Sequence, residues 1–394
     1  MIITQERPVP TRRVGTGDIV GFGLDGVTIL RNSIQPTTKL VVADFGYNAG
    51  WRVEKHVRLV GDTTGNGLGD IIGFGDAGVC ISRNKGKSFS PVSLALGDFG
   101  LLTGNWSVDK HIRYVADLRN KGYVDIIGFG NEGVFVSLNN GSGTYGPARL
   151  VLNDFGVDAG GWRLDQHLRF LADVNGDGNL DIVGFGQSRV FVAFGKGDGT
   201  FEGPRTVIYN DLTPSNGWRI DKHPRTLADL TGDGKPDIIG FGDAGVYVAL
   251  NNGDGTFQVP KLALKDFGST VWQVDKHPRF VADVNGNGFG DIVGFGNAGV
   301  YVAFGNGDGT FQNANLVVKN FGYDFTWRVD KHPRFLADLT GNGAVDIIGF
   351  GDGDVYVAYN DGNGNFGDVK TITQEFSFNR GWNPNNTVRW IANL

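Results

Sequence analysis

Apolar residues in this chain come in short runs of about five, each closed off by glycine, asparagine or aspartate. Runs such as DIIGF (Asp237–Phe241) and VYVA (Val246–Ala249) are rich in Val, Ile, Phe and Tyr. That composition, with turn residues on both sides, predicts β-strands. No stretch carries a helical period over a useful length. The DIIGF-type runs are apolar at nearly every position, which fits strands covered on both faces. One unit reads as four strands: 335–339, Asp346–Phe350, 355–359, and a fourth like 262–267.

The unit repeats. Gly-Phe-Gly triplets centre on Phe22, Phe74, Phe129, Phe185, Phe241, Phe295 and Phe350, at spacings of 52, 55, 56, 56, 54 and 55 residues. A period of this size, built from short strands and Gly-rich turns, predicts propeller blades. Residues 388–394 match a first strand, whereas the run starting at Asp18 is a second strand with no first strand before it. Together they complete one blade. The expectation is an all-β, seven-bladed β-propeller of four-stranded blades. Its ring is closed by pairing of the N- and C-terminal segments, with one domain over residues 1–394. Such closure removes exposed sheet edges.

Composition changes this picture little. Glycine, 64 of 394 residues, recurs at fixed positions, so it marks a repeat and not disorder. A net charge of −6 argues against nucleic acid as the main partner. The single cysteine, Cys80, rules out an intrachain disulfide; it aligns with Phe135 and Tyr247 and reads as a buried apolar substitute. Residues 1–7 lack the apolar core of a signal peptide, and no run reaches membrane-spanning length. The reading is a soluble protein without membrane insertion, cytoplasmic or exported without a signal peptide.

All six histidines fall in one repeated string. Its copies are WRVEKHVR (51–58), WSVDKHIR (106–113), WRLDQHLR (162–169), WRIDKHPR (218–225), WQVDKHPR (272–279) and WRVDKHPR (327–334). A seventh, WNPNNTVR (382–389), keeps Trp and Arg but has Asn385 and Thr387 in place of the acid and His. In a propeller this stretch links the outer strand of one blade to the inner strand of the next, over a blade junction. Carboxylate and imidazole can hydrogen-bond hydroxyls, Lys and Arg donate to oxygens, and an aromatic covers C–H faces, so the set suits a polyol. The persistence of Trp and Arg in the seventh copy points to packing. The joint loss of acid, Lys and His points to binding. Six equivalent copies argue against catalysis, which uses one tuned cleft, and no nucleophile or phosphate-loop motif is present.

A second motif lies between the first and second strands. Asp173, Asn175, Asp177 and Asp181 supply oxygens at loop positions one, three, five and nine, as do Asp283, Asn285, Asn287 and Asp291. A hard cation such as calcium takes such an array. Weaker versions start at Asp229, Asp338 and Asp62. In the copy at Asp117, Arg119 and Lys121 put cations where ligands should stand, so that loop should bind no metal. The same residues also serve an Asx-rich turn without metal, and both readings stand.

The run FGYNAGWRVEKHVR (45–58), with D-x-x-G-x-G-x-x-D-I-x-G-F-G after it, resembles the Psathyrella velutina lectin group of fungal lectins across all seven units. The resemblance implies a non-catalytic, multivalent carbohydrate-binding protein and hemagglutinin. It would recognise N-acetylglucosamine-type and also sialylated glycans at blade junctions, with structural Ca2+ in integrin-like loops. Its partners would be glycans or glycoproteins bearing terminal N-acetylglucosamine. Carried over by motif, the pockets would hold Glu54, His56, Asp109, His111, Asp165, His167, Asp221, His223, Asp275, His277, Asp330 and His332. Ser107, Gln273 and Gln166 depart from the common string. The competing reading is an integrin-like or WD-repeat-like propeller that binds a protein partner.

Overall fold

The computed structural model describes residues 17–32 and 37–394; the signal-peptide question at residues 1–7 lies outside them. Within these residues the DIIGF-type runs form the second strand of each sheet, and all seven copies are buried at every position. Seven four-stranded antiparallel sheets result, each in simple up-and-down order. They form the seven blades of a β-propeller. The only helices among the described residues are four three-residue 3-10 turns, and none is long and apolar enough to cross a membrane.

One blade is composite. Asp18–Phe22 pairs with Val388–Ala392, in register from Asp18 with Ala392 to Phe22 with Val388. The seam is tied to both neighbouring blades. Trp390 Nε1 donates to the carbonyl of Arg58 at 3.0 Å, and Gly17 N donates to that of Asp338 at 3.3 Å. Arg31 Nη1 donates to the carbonyl of Leu394 at 2.6 Å.

Strand ends differ from the sequence reading for local reasons. The first strand of the sixth full repeat is Arg334–Ala337 and stops before Leu339, whose N–H turns to the Asp346 carboxylate at 2.7 Å. The fourth strand is Lys261–Leu264, because Phe267 sits at φ 56° and cannot extend it. Cys80 pairs with Gly73 in the third strand of its blade, as Phe135 pairs with Gly128. It is half-buried, not buried, since this position faces the edge of the interblade core.

The core is a set of seven apolar clusters, each made by adjacent blades. One joins Val20 and Phe22 of the composite blade to Trp51, Val60 and Ile71 of the next. Burying a large aromatic at every junction contributes about 1.5–3 kcal/mol per side chain. It also fixes where the string must run.

Candidate binding site at the blade junctions

Each string begins from a strained residue. Phe45, Phe99, Phe155, Leu212, Phe267, Phe321 and Phe376 all lie at φ between 54° and 67°. The preceding side chain holds this turn: Asp44 Oδ1 accepts from Phe45 N at 2.5 Å and from Trp51 Nε1 at 2.8 Å. The left-handed turn points the Phe45 carbonyl inward, where Arg58 Nη1 donates to it at 3.2 Å. All seven second arginines make this contact. Burial lowers their pKa to about 10, or about 9 for Arg334 and Arg389, which leaves them charged at neutral pH. The Trp edge lies flat on the first glycine of Gly-Phe-Gly. A Cβ at Gly73 would come within 2.5 Å of Trp51, so only glycine fits there.

The histidines lie behind the surface. All six are 2–6% exposed and stand edge-on to their tryptophans, with ring centroids 5.3–5.7 Å apart. His56 Nδ1 accepts the N–H of Arg52 at 3.1 Å. An acceptor Nδ1 places the proton of the neutral ring on Nε2. Burial, the largest influence, lowers the pKa of all six, which favours that neutral form. Nε2–H then donates to the residue twenty positions on. The acceptors are Asp76, Asn131, Asp243, Asn297 and Asp352, at 2.9–3.0 Å. His167 differs: Gln187 stands beside it, yet Nε2 makes no hydrogen bond of sound geometry.

These partners, which directly follow Gly-Phe-Gly, were not singled out in the sequence. They reach solvent: the side chains of Asp76, Asp243 and Asp352 are 55%, 58% and 44% exposed. A signal existed. The seventh unit, which has Thr387 in place of His, has Leu24 in place of the partner. Thr387 Oγ1 instead donates to the Asn383 carbonyl at 2.9 Å. Lys222 and Lys331 also bind the reaching carboxylates. The Lys222 and Ser269 hydrogen bonds, then that of His223, hold Asp243 well below the usual carboxylate range; the His332 bond lowers Asp352.

The string acids Glu54, Asp109, Asp165, Asp221, Asp275 and Asp330 are all exposed. Two clefts show what surrounds these groups. One, of about 240 Å³, is lined by Trp327, His332, Asp352, Gly353 and Tyr356. The other lies between successive strings and brings Asp109 and Lys110 together with Trp162, Arg163 and Asp165. In neither of these two clefts do the acid and histidine of one string both line the wall. Such shallow polar depressions on an apolar floor suit small hydroxylated ligands.

The carboxylate loops are Asx turns whose side chains bind their own amides. Asp173 accepts from the N–H of Gly176 and Gly178 at 2.7 and 2.8 Å, and Asp181 accepts from Val174 and Gly195. The Asp283 loop repeats this with Gly286, Gly288, Val284 and Gly305. Among the described residues no three His, Cys, Asp or Glu side chains converge as a ready metal cage. The donor chemistry nevertheless fits a hard cation. Burial, with repulsion from Asp177 and Asp173, pushes Asp181 up to about 7; burial and Asp283 push Asp291 to about 6. In the copy without the metal pattern, a guanidinium does what a cation would do: Arg119 grips Asp125 with two hydrogen bonds, at 2.7 and 3.0 Å.

Fold and site together define a seven-bladed propeller with repeated polar clefts at its junctions, a multivalent binding protein. Over 96% of both chains it is similar to an Agrocybe aegerita lectin, at 58% identity and a TM-score of 0.95; that structure describes specific recognition of non-reducing terminal N-acetylglucosamine. The chain belongs to this family of fungal propeller lectins, as its resemblance to the Psathyrella velutina lectin group implied. Residues 229–281 match the FG-GAP-like repeat. No match is found among curated protein sequences. A Photorhabdus luminescens Tc holotoxin pore is 15% identical, covering 88% of this chain and 16% of that one, with a TM-score of 0.44. A Bacillus licheniformis rhamnogalacturonan lyase is 12% identical, covering 88% and 65%, with a TM-score of 0.39. At that distance neither carries a functional argument.

Proposed function

We propose that this protein is a non-catalytic, multivalent lectin that binds terminal N-acetylglucosamine-type glycans at its blade junctions. Near-full-length similarity to the Agrocybe aegerita lectin carries the reading. The clefts support it: one combines Trp327 with the Asp352 tip held by the buried His332, and another combines Trp162 with the exposed acids Asp109 and Asp165. In this reading Glu54, Asp109, Asp165, Asp221, Asp275 and Asp330 meet sugar hydroxyls, and the histidines orient the tips. A glycan array with hapten inhibition of agglutination tests it. Terminal N-acetylglucosamine should be bound, and the free sugar should inhibit. An array without terminal N-acetylglucosamine hits would overturn the reading.

We also propose calcium at two loops: Asp173, Asn175, Asp177 and Asp181, and Asp283, Asn285, Asn287 and Asp291. Their oxygen side chains at loop positions one, three, five and nine support this. Bound there, the ion would neutralise the clustered carboxylates and brace the turn.

A further inference from the structure

The strands of each blade run up and down, so the turns fall on two faces of the ring. The strings and the turns after Gly-Phe-Gly share one face, where Tyr47 N donates to the Gly23 carbonyl at 3.1 Å. The loop after each first strand and the hairpin after each third strand share the other, where Asn84 N donates to the Asp70 carboxylate at 2.6 Å. The clefts therefore open on one side of the ring, and the carboxylate loops lie on the opposite side.

On that opposite face, charge is sorted by blade. The first full repeat has Arg83, Lys85 and Lys87 in its hairpin and Asp62 in its loop, a net of +2. The second has Arg119 and Lys121 against Asp117 and no charge in its hairpin, a net of +1. In the third, Asp173, Asp177, Asp198 and Glu202 outweigh Lys196, for a net of −3. The fourth has Asp229, Asp233 and Asp254 against Lys235, for −2. The fifth has Asp283 and Asp308, for −2, and the sixth has Asp338, Asp361 and Asp368, for −3. The aspartate that opens each second strand is buried in every blade and cancels in the comparison. Adding the basic residue that opens a fourth strand, Arg149, Arg205, Lys261 or Lys370, reverses the sign of no blade. Arg31 of the composite blade is held between Asp18 and the Gly86 carbonyl. The face thus has a basic sector of two blades and an acidic sector of four.

The charges that define the sectors face solvent. Lys85, Lys87 and Lys121 are exposed, as are Asp198, Asp254, Asp308 and Asp361 at the hairpin crests. The crest acids accept from their own turns: Asp254 from Thr256 N and Asp308 from Thr310 N at 2.9 Å, and Asp361 from Asn363 N at 2.8 Å. Calcium in the two proposed loops would reduce the acidic sector's charge and leave it negative.

A face with opposite signs in separate sectors is complementary to itself. A second copy, turned over about a two-fold axis parallel to the face, sets each basic sector on the partner's acidic sector. A partner of uniform charge would be drawn to one sector and repelled by the other. We infer that two copies of this chain associate through these faces, with their clefts turned outward on both sides. Half-buried Leu68, Tyr123 and Phe289 lie on the same loops and supply apolar area for the contact to cover. Such a pair could join two glycan-bearing surfaces, which one ring with all its clefts on one side does poorly. That consequence rests on the lectin reading; the association itself does not.

Sedimentation velocity of the whole chain tests this, from about 1 to 100 μM protein, in about 20 mM and about 500 mM salt. At low salt the monomer should give way to dimer as concentration rises. High salt should weaken the dimer by about tenfold or more, since screening shortens the reach of exposed charges. The variant Lys85→Glu, Lys87→Glu, Lys121→Glu makes the whole face acidic and should stay monomeric. The control Lys39→Glu, Lys265→Glu, Lys319→Glu changes net charge equally at exposed positions off that face, and should still dimerise. Unchanged thermal melts verify the fold of both. A wild type that is monomeric throughout would overturn the inference and leave the divided face to a partner of another kind. A dimer insensitive to salt, or equal behaviour of the two variants, would also overturn it. Titration of the same samples with N-acetylglucosamine keeps the readings apart: monomers that bind the sugar would fail this inference alone, and dimers that do not bind it would fail the lectin reading alone.

Discussion

Arg58 Nη1 donates to the carbonyl of Phe45, a residue held at φ 61°. The strained turn and the buried guanidinium depend on each other, and the pair recurs at every junction. Replacing one member leaves a buried carbonyl unpaired, and a lost hydrogen bond to a charged group costs about 1.5–3 kcal/mol. Arg225→Met should therefore lower unfolding free energy by about 2 kcal/mol in urea titrations. The exposed Arg219→Met should leave it nearly unchanged. Equal effects would show that the buried contact contributes nothing special.

Histidine removal should also be structural. His223 packs on Trp218 and bonds Arg219 N and Asp243. His223→Ala should cost about 1–3 kcal/mol by leaving the part-buried Arg219 N–H without its acceptor and should weaken one sugar site by removing one of the bonds that hold Asp243. A variant of wild-type stability with one site lost would mean that the ring touches sugar directly.

Acid should destabilise the calcium-loaded ring. The folded histidines have lowered pKa values, whereas the unfolded chain protonates at about pH 6.5. The unfolded state then binds more protons, so stability falls as pH drops through that window. Metal-free loop carboxylates act oppositely: with Asp181 raised to about 7 and Asp237 and Asp291 to about 6, their contribution falls as pH rises from about 4 towards 7. Melting curves between about pH 5 and 7.5 should slope steeply in calcium and less steeply in chelator. Identical slopes would argue against bound metal.

Chelation should lower the melting temperature, because a ligand held only by the folded state stabilises it. Asp177→Ala with Asn287→Ala should blunt the effect. The Asp125 loop should show no metal in anomalous scattering, since Arg119 occupies its carboxylate.

Per-site affinity should be weak, about 0.1–1 mM or roughly −4 to −5 kcal/mol, with clustered glycans held up to roughly 10²–10⁴-fold more tightly. Titration should count six sites at most, because Leu24 and Thr387 leave the seventh junction without its polar pair. Seven equivalent sites would contradict this.

Blade number, strand order and the composite blade were legible because Gly-Phe-Gly spacing and the unmatched ends constrain topology directly. The string was legible as the junction element for the same reason. What escaped was the layering within it. Acid and His lie two residues apart, yet one faces solvent and the other the core, since the string turns between them. The His partner is set by a strand pair twenty residues away, invisible to local pattern. The left-handed Phe was hidden too: Asp-Phe-Gly reads as the end of a strand, and aromatic residues rarely adopt positive φ without an outside restraint.

The seam between Asp18–Phe22 and Val388–Ala392 has a consequence in time. Some 366 residues separate Phe22 from Val388. At roughly 5–20 residues per second, synthesis leaves the outer edge of Asp18–Phe22 without its Val388–Ala392 partner for about 20–70 s. Throughout that interval the nascent chain offers an open apolar edge to every neighbouring polysome product. Yield in a cell should thus depend on how well that edge is shielded before the last strand emerges, more than on the stability of the finished ring.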